Sequence, residues 1–264
     1  IHSNVQHMRK TAITLLLSSA VSSTLIELHD PQHRVLQPSD FEPQVYFASS
    51  STSFLEQTSE PSTFEMGEGL KAALEKGTIQ GVVDLAKGGG YLSNEAYKIY
   101  FPPSAQKVEN TLRDLGFNDE VDRLVVSLNK AAENAVSEAK PLFIEAIRGM
   151  SIADAKGILF GADTAATNYL KRKTAAQLHQ KFEPKIQASL NEVNATKYWA
   201  DIMTQYNKIP LVEKVETNLS RYVTERAVDG LFLKIAEEEK AIRENPQQRT
   251  TDLLKKVFGY ADEK

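Results

Sequence analysis

From Val121 to Phe143 an apolar residue returns at every third or fourth position. The series is Val121, Leu124 with Val125, Leu128, Ala131 with Ala132, Ala135 with Val136, Ala139, and Leu142 with Phe143. That period paints one face of an α-helix for about seven turns, and its alanines suit close packing against other helices. Pro141 removes a backbone donor and clashes one turn back, so it is expected to kink or split the helix. A face this long needs other helices to cover it.

The same period governs the chain from about Gly67 onward. Leu70, Ala73, Leu74, Val82, Val83 and Ala86 form one helical row, stopped by Gly88-Gly89-Gly90, for which a left-handed cap is the simplest reading. Tyr97, Ile99 and Phe101 alternate like a short extended piece. Ser104 is placed to cap a helix that buries Val108, Leu112 and Leu115, with Gly116 as its end. Ser151 and Asp154 mark another helix start, since "GMSIADAKG" lacks the spacing and strand context of a nucleophile elbow. Asp163 is expected to cap a helix through Leu170 that ends in Lys171-Arg172-Lys173. Thr174 would cap the next, with Leu178, Phe182, Ile186, Leu190 and Val193 in a row. Tyr198, Trp199, Ile202, Met203 and Tyr206 share one face, which is core first and pocket lining second.

Asn218 opens the last long helix, with Leu219, Val223, Ala227, Leu231 and Ile235 down one side. Glu237, Glu238 and Glu239 follow, about 100° apart on a helix, so they cannot converge on one metal and are expected to face solvent. Asn245-Pro246 ends that helix. Thr250 or Thr251 caps a final one, whose face of Leu253, Leu254, Val257 and Phe258 makes it the candidate docking helix. The expected fold is all-α: a bundle of about seven to nine helices over residues 66–264.

Residues 1–65 follow a different grammar. Met8-Arg9-Lys10 precede an apolar segment, residues 11–28, that suits a secretory signal, a retained anchor in contact with a membrane, or a packed arm. A Ser/Thr-rich linker from Ala48 follows, too polar to bury much surface by itself. These residues are expected to form an extended N-terminal arm.

Composition removes several kinds of chemistry. There is no cysteine, which excludes disulfides, thiol catalysis and Cys-containing zinc sites. A net charge of -4 argues against a nucleic-acid partner. Four of the five histidines lie in the arm and only His179 lies in the helical part, so a histidine-based triad or metal site has little to draw on. His29, Asp30 and His33 are a weak metal motif at best. No catalytic residue, metal ligand or cofactor site is expected, and an enzyme is disfavoured. The densest polar group is Asp163, Tyr169 and Arg172. With Trp199 and Tyr206 it forms the candidate pocket for a small anionic or apolar ligand, although helix capping, which needs only local geometry, is the simpler explanation of Asp163 and its neighbours.

Three stretches, "AKPLFIEAI", "ATKYWADIMTQYNKIP" and "YVTERAVDGLFLKIAEEEKAIRENPQQRTTDLLKKVFG", resemble the bacterial family catalogued as domain of unknown function 4197 (DUF4197). The likeness runs from about Gly67 to Gly259. It implies an all-helical protein made with a signal sequence and placed outside the cytoplasm, in the periplasm or envelope; it supplies no catalytic residue. The extra length of the arm departs from the family pattern and suggests an organellar alternative, a mitochondrial or plastid membrane complex. The leading functional expectation is a non-enzymatic interaction protein, an accessory subunit bound to protein partners in a membrane-associated complex through its arm and helical surfaces. The alternative is an extracytoplasmic binder of a small ligand or lipid.

Overall fold

The structure, a computed structural model, describes residues 60–264 apart from Ile209 and Val212. The apolar segment 11–28, most of the Ser/Thr-rich linker and the histidines of the arm lie outside the described residues. Among the described residues there are nine α-helices, three short 3-10 turns and no strand. The all-α expectation holds.

The framework is α1 (Thr63–Ala86), α3 (Asn118–Ala135), α6 (Ala165–Glu192) and α8 (Leu219–Glu244). α6 packs between α3 and α8, and α8 in turn packs against α1. Cross-links give the directions. Asn134 and Lys185 reach Ser189 and Glu138, so α3 and α6 run antiparallel. α8 is antiparallel to α6 as well, with Glu239 beside Ala166 and Asp229 beside Lys171. α4 (Ala139–Arg148), α5 (Ile152–Leu159) and α9 (Asp252–Asp262) close over α1, α2 (Gln106–Asp114) leans on α3, and α7 (Ala195–Tyr206) leans on α6 and α8.

The long stripe is a helix, and it is split. α3 tightens into a 3-10 turn at Val136–Glu138 and restarts as α4, leaving Pro141 in the first turn of α4, where its missing N–H is not needed. Val121, Leu128, Ala131, Ala132, Ala135, Val136, Ala139 and Phe143 are all buried. So is the α6 row of Leu178, Phe182, Ile186 and Leu190, but Val193 at its end is exposed.

Several starts follow the sequence. Ser151 and Asp154 form a reciprocal capping box, and Asn218 and Thr251 accept from Arg221 N–H and Leu254 N–H. α1 begins earlier than its apolar row suggests, at Ser62, which forms a capping box with Glu65. It stops at Ala86 with Lys87 extended; the left-handed glycine, Gly89 at φ +84°, sits in the turn beyond. Tyr97, Ile99 and Phe101 are buried in an irregular stretch that Asn129 holds by accepting from Ile99 N–H and donating to Ile99 C=O.

Other expectations fail for identifiable reasons. Ser104 caps nothing, because Pro103–Ala105 is a 3-10 turn that runs straight into α2, and Leu115 at the far end of α2 is exposed. No break occurs at Thr174. α6 runs through it for 28 residues, and the buried Thr174 hydroxyl donates back to Leu170 C=O within the same helix. Nor does Asp163 cap α6. That role falls to Glu239, whose carboxylate accepts from Ala166 N–H at 3.0 Å, Thr167 N–H at 2.8 Å and the Thr167 hydroxyl at 2.8 Å.

Glu239 therefore corrects the reading of the triple glutamate. Its side chain is only 4% exposed, and Arg243 donates to it from Nε and Nη2 while also reaching the last carbonyls of α5, Ile158 and Leu159. Glu237 accepts from the Tyr97 hydroxyl, and Glu238 pairs with Lys234 at 2.7 Å. None of the three is merely solvated. They do point in different directions, as their spacing requires.

The candidate docking helix is engaged within its own chain. Leu254, Val257 and Phe258 are buried and Leu253 is half-buried, with α9 packed against α1. A Cβ built on Gly69 of α1 would lie 2.8 Å from Val257 Cγ2, so glycine at this position is what allows the close approach.

Candidate functional site

A recess opens between α2, α3 and α7, and the path of the chain explains it. After α2, Gly116 adopts φ +91°, a conformation natural to glycine, and Phe117 N–H donates to Leu112 C=O. This tight corner folds α2 back along α3. On the other side, α7 packs on α6 and α8 instead of on α3. The apolar faces of α2, α3 and α7 are left around an open groove of about 980 Å³.

Its floor is fixed. Phe101, Val121, Trp199 and Met203 are buried; the Trp199 ring meets Phe101 edge-on at 5.6 Å between centroids, and its indole N–H donates to Glu216 C=O at 2.9 Å. Asn207 holds the loop after α7, donating to Val215 C=O and accepting from Val215 N–H. These contacts lock the tryptophan and leave little freedom beneath it.

The walls are apolar and exposed. Phe117 is 47% exposed, Val126 45%, Val193 53%, Tyr198 62% and Ile202 45%, and all five line the groove with Val108, Leu112 and Leu124. A cluster of large apolar side chains left open on one face marks a contact surface or a ligand site. Charges sit along α3 at the edge: Asp119, Glu120, Asp122, Arg123 and Lys130. Arg123 pairs with Glu120 at 2.9 Å, and Arg113 with Asp122 and Glu109, each at 2.9 Å. Bonds to Asp122 and then Glu109 raise the Arg113 pKa, so this cation is fixed at any working pH. Among the described residues Asp119 and Lys130 have no ion pair.

The five predicted pocket residues do not meet in one cleft. Trp199 is in the groove floor. Tyr169 is buried on α6, its hydroxyl pKa raised by desolvation and then by Asp154, while Asp163 and Arg172 are exposed near the start of that helix. Tyr206 is half-buried at the end of α7. Because α6 runs unbroken, about 42 Å at 1.5 Å per residue, its first turns and α7 lie at different stations of the bundle.

The groove residues that sequence reasoning missed left a trace. Phe117 and Val126 are large apolar residues lying outside the α3 stripe, at positions left exposed. The helical period assigns Tyr198 and Ile202 to the core with Trp199, yet the face they share straddles the edge of the recess.

Among the described residues no group of three or more His, Asp or Glu side chains is placed to hold a metal. No helix among them is long and apolar enough to cross a membrane. The chain has no match among the curated proteins or the solved structures. The sequence model of one family, "Protein of unknown function (DUF4197)", matches residues 60–259, the stretch from just before α1 to the last turns of α9. The chain belongs to the DUF4197 family.

Proposed function

We propose that this chain is a non-enzymatic interaction protein, and that the α2/α3/α7 groove is its contact surface for a protein partner. The supporting observation is the five half-exposed apolar side chains, Phe117, Val126, Val193, Tyr198 and Ile202, around one groove with a rigid floor. Burying them is the favourable step that association would supply, at roughly 25 cal/mol per Å² before ordering costs. An accessory subunit of a membrane-associated complex, outside the cytoplasm, is the setting that the apolar segment 11–28 and the family resemblance suggest. A second reading, a small apolar ligand or lipid, rests on the volume of about 980 Å³, at the upper end of small-molecule sites.

A photo-cross-linking amino acid at Ile202, on the open wall, separates the two. Covalent capture of a protein in the source cells, lost on Tyr198→Glu, is the expected result. Capture of lipid or metabolite alone supports the second reading, and no adduct of any kind overturns both.

A further inference from the structure

We propose that the partner received by this groove is a second copy of the same chain, docked antiparallel about a two-fold axis at the middle of α3. The inference rests on the interaction reading above and names its partner.

Along α3, Asp119, Arg123, Val126 and Lys130 are spaced by four, three and four residues, so they form one stripe along the groove. The stripe is negative at one end, where Asp119 stands, and positive at the other, where Lys130 stands. These two residues are eleven positions apart, about 16 Å along the helix, too far to pair with each other, and neither has another ion pair among the described residues. Turning a second copy end over end brings Asp119 of each chain opposite Lys130 of the other, so both pairs form at once. That is the signature of an isologous contact, in which each residue pair occurs twice.

The apolar part obeys the same symmetry. The midpoint between Asp119 and Lys130 falls between Arg123 and Val126, so each valine lies across from the aliphatic stem of the second copy's arginine, with its guanidinium still held by Glu120. One face carries both projections and a recess. Phe117 and Tyr198 stand out from the walls, while Leu112, Trp199 and Met203 line the trough. A surface that meets itself needs both. Burial of the apolar walls would supply the affinity, and the two charge pairs would set the register.

The test is sedimentation velocity of the full chain over a concentration series. The wild-type chain should approach twice 29.4 kDa as concentration rises. Lys130→Glu and Asp119→Lys, each alone, should weaken self-association about tenfold or more by placing like charges opposite each other. Mixing the two variants should restore a dimer, because each then presents the charge the other needs, and the double variant should restore self-association. Ile202→Glu, which touches no charge pair, should abolish it. A wild-type chain that stays monomeric at all concentrations overturns the proposal. So does a dimer indifferent to these substitutions, which would form through another face. A monomer whose residue 202 still captures a different protein leaves the interaction reading standing; absence of any protein adduct removes both.

Discussion

Two regions of the bundle handle their exposed chemistry in opposite ways. At the start of α6 the buried polar groups all have partners. Glu239 caps the helix, Arg243 neutralises it, and the same arginine closes the end of α5. At the α2/α3/α7 groove the polar groups lie at the edge and large apolar side chains stay in solvent. The first arrangement serves stability and the second leaves surface free energy to be recovered by contact. A helical domain that ties three helices together around one carboxylate could have covered Ile202 and Tyr198 as well; the packing of α7 away from α3 leaves them open.

The sharpest way to break this contrast is Glu239→Ala. It leaves the partly buried Arg243 without its countercharge and the first amides of α6 without an acceptor, and should cost about 3–5 kcal/mol in urea unfolding. A loss below about 1 kcal/mol would show that water takes over the role of the carboxylate, so that the region is no more sealed than the groove. Gly69→Ala comes next. Its methyl would sit 2.8 Å from Val257 Cγ2 and force α9 off α1, at about 1–3 kcal/mol; Val257→Ala in the same chain should recover part of that loss.

A pH titration probes the α1–α9 seam at Glu65. Its bond to Lys256, with help from Ser62, lowers its pKa from 4.5 to about 2. A carboxylate depressed in the fold contributes stability above its unfolded value, and the contribution disappears as pH falls from about 4.5 towards 2. Protection of the first-turn amides of α1 against hydrogen exchange, taken relative to their intrinsic rates at each pH, should therefore fall over that window, and Glu65→Gln should remove this pH dependence. At the groove, Ile202→Ser should shift stability by about 0.5 kcal/mol or less, because the side chain is already half in water. A large loss there would mean that the wall is structural and the contrast false.

Much of the fold was legible because its signals are local. The 3.6-residue period of the α3 face and the α6 row needs only neighbouring residues, as do the caps at Ser151, Asn218 and Thr251. The failures are non-local. Asp163 had the chemistry of a cap and the right position, but a carboxylate from α8 occupies those amides, and sequence spacing says nothing about that approach. Thr174 looked like a helix start because its hydroxyl suits either capping or bonding back within a helix; burial against the neighbouring helices selected the second. The groove was half legible. The period put Tyr198 and Ile202 on the same face as Trp199, but how far a neighbour covers that face depends on where α7 leans.

The cap from Glu239 has a consequence for the order of assembly. The carboxylate that completes the first turn of α6 lies 73 residues downstream of Ala166. A chain emerging from the ribosome holds all of α6 long before it holds its cap, so those amides stay with water until α8 is made and turned back. Closing that contact belongs to the late, long-range part of folding, where the entropy of a large loop has to be met first. Fragments ending before Glu239 should fray at α6 and fall to proteases there, which makes the last long helix a checkpoint on whether the whole domain has been synthesised.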